Sequence, residues 1–199
     1  GTEETRLINL KLAARLEDGP LAPTILGLLL FGRTPVTQHL PGAFVDCVCY
    51  KGTVPDADHQ IDAKTFHGPL PEQIANAVRF MERWIPVAAE KNHEGRRDLP
   101  AFSLRAVHEA IVNAVVHRDY QLYGSNVRAF MFDDRLEVSN PGSLHNTIRP
   151  ENLFAGCQPY RRNQMLCGFL RDYESPVTGR VVMEARGEGF RMMVRETRR

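Results

Sequence analysis

A glutamate and an asparagine one helical turn apart, Glu109 and Asn113, are the side chains in this sequence best suited to chemistry. They lie in residues 105–120, which are otherwise largely apolar and have helical spacing. Because a helix turns about 100° per residue, Glu109, Asn113 and His117 cluster near 200–280° when Val107 is set at zero. A carboxylate and a carboxamide on one helix face suit a site for magnesium and a nucleotide.

Valines flank this polar stripe, so we expect it to face a pocket rather than open solvent. A buried carboxylate or amide persists in apolar surroundings only when it has partners. Those partners could belong to a ligand. They could equally belong to the protein, with Glu109 paired to Arg105 or Arg118 and Asn113 capping a neighbouring loop.

A β-hairpin is predicted to follow the helix. Residues 127–132 and 135–139 alternate with a period of two, and two aspartates between them make a short turn. The second strand runs into residues 140–142, Asn-Pro-Gly. Proline ends the ladder because it has no N–H, and glycine permits positive φ or a close approach of the backbone to a ligand. The Asn140 side chain could then hydrogen-bond the edge of a planar heterocycle.

Several segments together resemble the ATP-binding domain of transcriptional regulators that are often labelled RecG-related helicases, a divergent branch of the GHKL ATPases. The resemblance spans roughly residues 97–197 and preserves order and spacing. It implies an α+β fold, a two-layer α/β sandwich of GHKL type with a mixed, mostly antiparallel sheet covered by helices on one face. The segments that carry it are Glu109-x-x-x-Asn113-Ala114-x-x-His117-Arg118-Asp119-Tyr120, Asp133-Asp134-Arg135-Leu136-Glu137, Asn140-Pro141-Gly142, Arg162-Asn163 and Gly187-Glu188-Gly189.

The resemblance implies a role for each matching residue. Asn113 takes the position of the asparagine that coordinates Mg²⁺, and Glu109 that of the base that activates water. Asn140 and Gly142 correspond to the first glycine box, whose acidic residue recognises the adenine amino group. Here an asparagine replaces that aspartate, and an amide offers one acceptor and one donor group where a carboxylate only accepts.

Gly187 and Gly189 resemble the second glycine box, which implies a site for the phosphates of ATP. A helix is predicted to start at residue 190, and a helix N-terminus behind glycines attracts anions. Taken alone, Gly-x-Gly indicates a plain turn more than a phosphate site. His117 lies on the polar stripe of the first helix and is a further nucleotide-binding candidate.

The segment between the two glycine boxes would hold a lid over the nucleotide. Arg162 in this segment could reach phosphates, although an arginine in a polar segment is often only solvated. Relatives commonly have a proline after the Arg-Asn pair, where this chain has Gln164. We regard Arg118, Asp119 and Tyr120 as architectural.

The first third of the chain reads as a separate unit. Residues 3–17 and 24–31 are predicted helices, and residues 43–50 and 60–66 are predicted strands. This small N-terminal α/β fragment resembles the tail of a Schlafen AlbA-like domain, through Leu-Gly-Leu-Leu-Leu-Phe-Gly, Pro-Gly-Ala and Tyr-Lys-Gly.

An amphipathic helix over residues 69–89 and a charged linker over 92–100 are predicted to join the two units. The predicted division is therefore residues 1–68 for the Schlafen AlbA-like tail, 69–100 for the connecting helix and linker, and 101–199 for the ATP-binding domain.

Composition limits the remaining options. A net charge of +1 gives no general attraction to nucleic acid, so DNA contact would come from segments outside this chain. No apolar run reaches the ~18–20 residues that cross a bilayer, and no signal peptide opens the chain, so we expect no membrane contact and a cytoplasmic location. The four cysteines, which lack metal-site spacing, should be reduced packing residues: Cys47, Cys49, Cys157 and Cys167.

Three functions compete at this point. The first is a regulatory module of a bacterial-type transcriptional regulator that binds ATP with Mg²⁺, hydrolyses it weakly if at all, and could form a homodimer. The second is a degenerate domain of the same fold that has lost nucleotide and serves interactions only. The third, a helicase, is rejected because no Gly-x-x-x-x-Gly-Lys-[Ser/Thr] phosphate loop occurs in the sequence.

Overall fold

The computed structural model describes residues 1–17, 19–33, 36–93, 95–144, 151, 160–175, 179, 181–183 and 189–197. Over these residues the helices are α1 (Glu3–Asn9), α2 (Ile25–Phe31), α3 (Leu70–Trp84), α4 (Leu104–Val116), α5 (Gln164–Arg171) and α6 (Gly189–Thr197). The strands are β1 (Ala13–Arg15), β2 (Leu21–Pro23), β3 (Val45–Tyr50), β4 (Gln60–Phe66), β5 (Val87–Asn92), β6 (Gly95–Pro100), β7 (Val127–Met131) and β8 (Leu136–Ser139).

The central sheet has four strands in the order β4-β3-β7-β8. The β3–β4 and β7–β8 pairs are antiparallel, whereas β3 and β7 run parallel, with Val45 opposite Val127 and Cys49 opposite Met131. The sheet is therefore mixed and mostly antiparallel, as predicted. It joins strands of residues 45–66 to strands of residues 127–139 by direct hydrogen bonds.

Helices α3 and α4 pack against the sheet and against each other. The alternating residues of β7, Val127, Ala129 and Met131, are buried beneath them. The predicted apolar stripe is buried as expected: Ile74, Val78 and Met81 lie on α3, and Ile85 directly follows it. Burial of an aliphatic side chain of this size contributes about 1.5–3 kcal/mol, so this layer supplies much of the stability. The predicted α+β fold, a two-layer α/β sandwich, is confirmed.

The helix that carries the predicted site has clear ends. At its start the Ser103 side chain accepts a hydrogen bond from the Ala106 backbone N–H, which satisfies one free donor of the first turn. At its end the His117 N–H donates to the carbonyls of Asn113 and Val115. Helix α4 thus occupies most of the predicted stretch 105–120 and fixes the register of its polar stripe.

Three sequence predictions of secondary structure are corrected. The predicted helix 3–17 ends at Asn9, because Lys11 adopts a positive φ of 59° and the chain turns into β1, which pairs with β2. Helix α3 stops at Trp84 rather than near residue 89, since Ile85 precedes a proline and is extended. The predicted linker 92–100 contains β6, which forms a hairpin with β5 around Gly95 at φ 133°.

Cys47, Cys49 and Cys167 are free and buried, as packing residues would be, and Cys157 lies outside the described residues. Burial raises the pKa of the Cys47 thiol to about 12. Within the described ranges no three His, Cys, Asp or Glu side chains come together as metal ligands do. In that same part of the chain, no helix combines the length and the apolar character needed to cross a membrane.

Candidate functional site

The polar stripe predicted on α4 exists in the structure. Glu109, Asn113 and His117 are each half-buried, whereas the neighbouring Val112 and Val116 are fully buried. The Asn113 Nδ2 atom donates to the Glu109 carboxylate at 3.1 Å. This bond uses the amide nitrogen of Asn113 and orients Oε1 of the Glu109 carboxylate.

Glu109 lies directly against the first residue of α6, Gly189. A Cβ placed on Gly189 would be 1.7 Å from Oε1 of Glu109, far inside any permitted contact. A residue larger than glycine here would displace either this carboxylate or the start of α6. The positive end of the helix dipole at α6 favours a negative group in this position. Gly187, the other predicted residue of this box, lies outside the described residues.

The turn after β8 adopts the conformation predicted for it. Gly142 has a φ of 120°, a backbone conformation that side chains with a Cβ rarely adopt. Asn140 is exposed just beyond the end of the strand. The Pro141 carbonyl accepts the Asp119 N–H at 2.9 Å, which ties this turn to the segment that follows α4.

The Arg-Asn pair lies against the same two segments. Arg162 donates from Nη1 to the Asp119 carboxylate at 3.1 Å and from Nη2 to the Ser143 carbonyl. Asn163 donates from Nδ2 to the carbonyls of Val116 and Arg118, at 2.8 Å each. The end of α4, the turn after β8 and the start of α5 therefore meet in space.

The electrostatics around the end of α4 are basic. The pKa of His117 is lowered, first by burial and then by the positive charges of Arg162 and Arg161. His117 is therefore neutral near pH 7, where its ring can accept or donate a hydrogen bond. A neutral imidazole beside two guanidinium groups is compatible with an anionic ligand.

Arg118 holds the loop after α4 together, in keeping with the architectural role predicted for it. Its side chain is only 1% exposed and donates to the carbonyls of Asp119, Leu122 and Ser125. Its guanidinium carbon lies 4.8 Å from the centre of the Tyr120 ring. Arg118 thus faces the loop, so the pairing with Glu109 that the sequence allowed is not formed.

Sequence reasoning missed the contacts that Asp119 and Asn163 make. Both residues belong to motifs that carried the family resemblance, but they are 43 or more positions from their partners, so no local period could reveal the pairing. The signal that was available is chemical: a carboxylate and an amide, each next to an arginine, in two polar segments that the fold must bring together.

We predict that Asn163→Asp destabilises the protein by about 2–4 kcal/mol, since two carbonyls lose their donor and face a carboxylate. Thermal and urea unfolding without ligand measure this change. Asn126→Asp is the matched control, because Asn126 donates to a single carbonyl, that of Val127 at 2.9 Å. Equal losses in the two variants would contradict a special role for Asn163.

Comparison with known proteins finds a similarity in the C-terminal part of the chain. Residues 124–199 match the family model described as "Putative ATP-dependent DNA helicase recG C-terminal". The C-terminal part of the chain is therefore similar to an ATPase-like domain family. The matched range includes Asn140, Gly142, Arg162 and Gly189, and it begins after α4, so Glu109 and Asn113 fall outside it.

A solved structure shares the fold over nearly the whole chain. It is the crystal structure of the DIP2311 protein from Corynebacterium diphtheriae, which is 18% identical with a TM-score of 0.65. The alignment covers 97% of this chain and 35% of that protein, so this chain spans about a third of its length. At this identity the likeness concerns the fold alone. No curated protein matches the chain.

Proposed function

We propose that this chain is an ATP-binding module that uses Mg²⁺ and belongs to a bacterial-type transcriptional regulator of the cytoplasm. One observation carries the proposal: Glu109, which accepts a hydrogen bond from Asn113 on the same face of α4, lies against Gly189 at the N-terminus of α6. A carboxylate, an amide and a helix N-terminus at one point suit a metal-bound phosphate. The match of residues 124–199 to an ATPase-like family supports it.

The remaining candidates have separate places in the proposed site. Asn140, exposed beside Gly142, would contact the base edge of the nucleotide. Gly189, with Gly187 before it, would lie at the phosphates, where backbone N–H groups are the donors. His117 lies on the same face of α4 as Glu109 and Asn113, one turn beyond the asparagine.

The donor set fits Mg²⁺ only when the nucleotide supplies part of the coordination. Among the described residues, no three His, Cys, Asp or Glu side chains are grouped as metal ligands are. Mg²⁺ usually takes one or two protein oxygens and completes its shell with phosphates and water. Asn113, through its amide oxygen, matches that pattern, and Glu109 beside it is left to act on water. Bound there, the ion would neutralise charge on the phosphates.

Hydrolysis is the further step that Glu109 could perform, as the base that takes a proton from water. Its carboxylate is oriented by Asn113, and a fixed orientation is what a general base needs. The water must also lie in line with the terminal phosphate, and such alignment accounts for a large part of the rate. We therefore propose slow hydrolysis, with a homodimer as a means of completing the geometry and DNA contact through segments outside this chain.

Mg-ATP should stabilise the wild-type protein and stabilise Asn113→Ala much less. A ligand at about 100 times its Kd raises the free energy of unfolding by about 2.7 kcal/mol, and loss of a metal ligand removes most of that gain. A thermal titration with Mg-ATP measures both, and Asn126→Ala is the matched control. An unchanged melting temperature of the wild type at saturating Mg-ATP would refute nucleotide binding and favour the interaction-only alternative.

The same samples test hydrolysis. If Glu109 is the base, Glu109→Gln binds Mg-ATP but releases phosphate at least about 100-fold more slowly than the wild type, because general base catalysis contributes about 10²–10⁴ in rate. Equal rates of phosphate release in the two proteins would remove Glu109 from catalysis without affecting the binding proposal.

A further inference from the structure

Arg162 forms a link between two parts of the proposed nucleotide site. One part is α4, which carries Asn113 and His117. The other is the turn after β8, which carries Asn140 and Gly142. Arg162 bonds to Asp119, just after α4, and to the carbonyl of Ser143, at the end of the turn.

The link is reinforced on both sides. Asp119 donates its N–H to the Pro141 carbonyl at 2.9 Å. Its backbone therefore contacts the turn after β8, while its side chain contacts Arg162 just before α5. Gly142 packs beneath the pair: a Cβ on it would lie 3.1 Å from Cβ of Asp119 and 3.4 Å from Cζ of Arg162. Asn163, next in the chain, anchors the arginine's backbone to the end of α4.

The guanidinium of Arg162 already has two partners, and it would lose both if the side chain turned away. Both Arg162 and Asp119 have side chains that are 27% exposed, so each is largely withdrawn from water. If Arg162 turned towards a phosphate, the Asp119 carboxylate would lose its cation and the Ser143 carbonyl its donor. Partly buried groups without partners are unfavourable, which keeps the arginine in place.

We propose that Arg162 is a positioning residue: its ion pair with Asp119 fixes the distance between α4 and the base-contacting turn, and it does not contact the phosphates. In the proposed site ATP contacts both α4 and the turn after β8. The ion pair therefore determines whether one nucleotide can contact both at the same time. This inference rests on the proposed function, because it assigns the residue a role in the same nucleotide site.

A double-mutant cycle tests the assignment. Mg-ATP affinity is measured by calorimetry for the wild type, Asp119→Asn, Arg162→Gln and the double variant. If the pair acts as one unit, each single change lowers affinity about tenfold and the double variant is no weaker than the weaker single. If Arg162 were a phosphate ligand, Asp119→Asn would release it and leave affinity unchanged or higher. That result would overturn the proposal.

Arg162→Lys is a second test, which keeps the positive charge and distinguishes a phosphate contact from a positioning role. A lysine ammonium binds phosphate well as a point charge, but it cannot reproduce the two-pronged contact to a carboxylate and a carbonyl. We expect Arg162→Lys to lose as much affinity as Arg162→Gln. Near-normal affinity in the lysine variant would identify a phosphate contact and contradict positioning.

Controls separate this inference from folding and from the proposed function. Arg135→Gln removes an arginine that pairs with Asp134 and Glu137 at the turn between β7 and β8, and it should leave affinity unchanged. Circular dichroism without ligand confirms that each variant is folded. Absence of Mg-ATP binding by the wild type would refute the proposed function itself, whereas wild-type binding with an additive cycle would refute only the role of the ion pair.

Discussion

Arg118→Met is expected to lower the free energy of unfolding by about 3–5 kcal/mol, a larger loss of stability than we expect from any other single substitution in this chain. The arginine is 1% exposed and donates to three backbone carbonyls of the loop after α4. Methionine fills much of the volume but donates nothing, so three carbonyls lose their partner. The ring of Tyr120 also loses its cation.

Urea unfolding followed by circular dichroism measures this loss, and a shift of about 2–4 °C in melting temperature per kcal/mol gives an independent estimate. Arg128→Met is the matched control, because Arg128 is exposed and its guanidinium lies 5.8 Å from the Phe130 ring. The control should change stability by no more than about 0.5 kcal/mol. Similar losses in both variants would mean that the loop does not depend on Arg118.

Gly189→Ala is expected to lower Mg-ATP affinity by about 10–100-fold, the range found when groups supporting a metal site are lost. The added methyl would fall 1.7 Å from Oε1 of Glu109, so either the carboxylate or the start of α6 must move. Movement of the carboxylate also disturbs its hydrogen bond with Asn113. The substitution therefore affects the proposed site by displacing the Glu109 carboxylate or the start of α6, and it removes no charged group.

Gly168→Ala is the control for this experiment. Gly168 lies within α5 and a Cβ there has no neighbour within 4 Å, so alanine should be neutral or stabilise the helix by about 0.5–1 kcal/mol. Calorimetry with Mg-ATP compares the two alanine variants with the wild type. Wild-type affinity in Gly189→Ala would show that the contact between Glu109 and α6 has no part in nucleotide binding.

The elements that carry the site could be predicted because their signals are local. Helix α4 follows from a period of 3.6 with a polar stripe, and the β7–β8 hairpin follows from a period of two interrupted by a turn. A turn at Asn-Pro-Gly follows from its place at the end of a strand, and of the two reasons for a glycine there the structure shows a positive φ at Gly142. Each of these features depends on residues within about a dozen positions of one another, so the local sequence is enough to predict it.

The contacts between elements could not be predicted in this way. Asp119 and Arg162 are 43 positions apart, and their ion pair depends on how α4, the turn after β8 and α5 pack together. The sequence of β6 is charged and begins with glycine, which is also typical of a linker. Only its pairing with β5 shows that it is a strand. The roles of the individual site residues in binding stay predictions until nucleotide is added.

The parallel pairing of β3 with β7 has a consequence for how the protein is made. Residues 45–49 are made about eighty residues earlier than residues 127–131. The later residues are the hydrogen-bonding partners along one edge of β3. Throughout that interval β3, whose residues are mostly buried in the finished fold, offers unpaired backbone groups and apolar side chains to other chains. Native pairing along this edge therefore has to wait until β7 has been made, and the edge is open to mispairing with other chains until then.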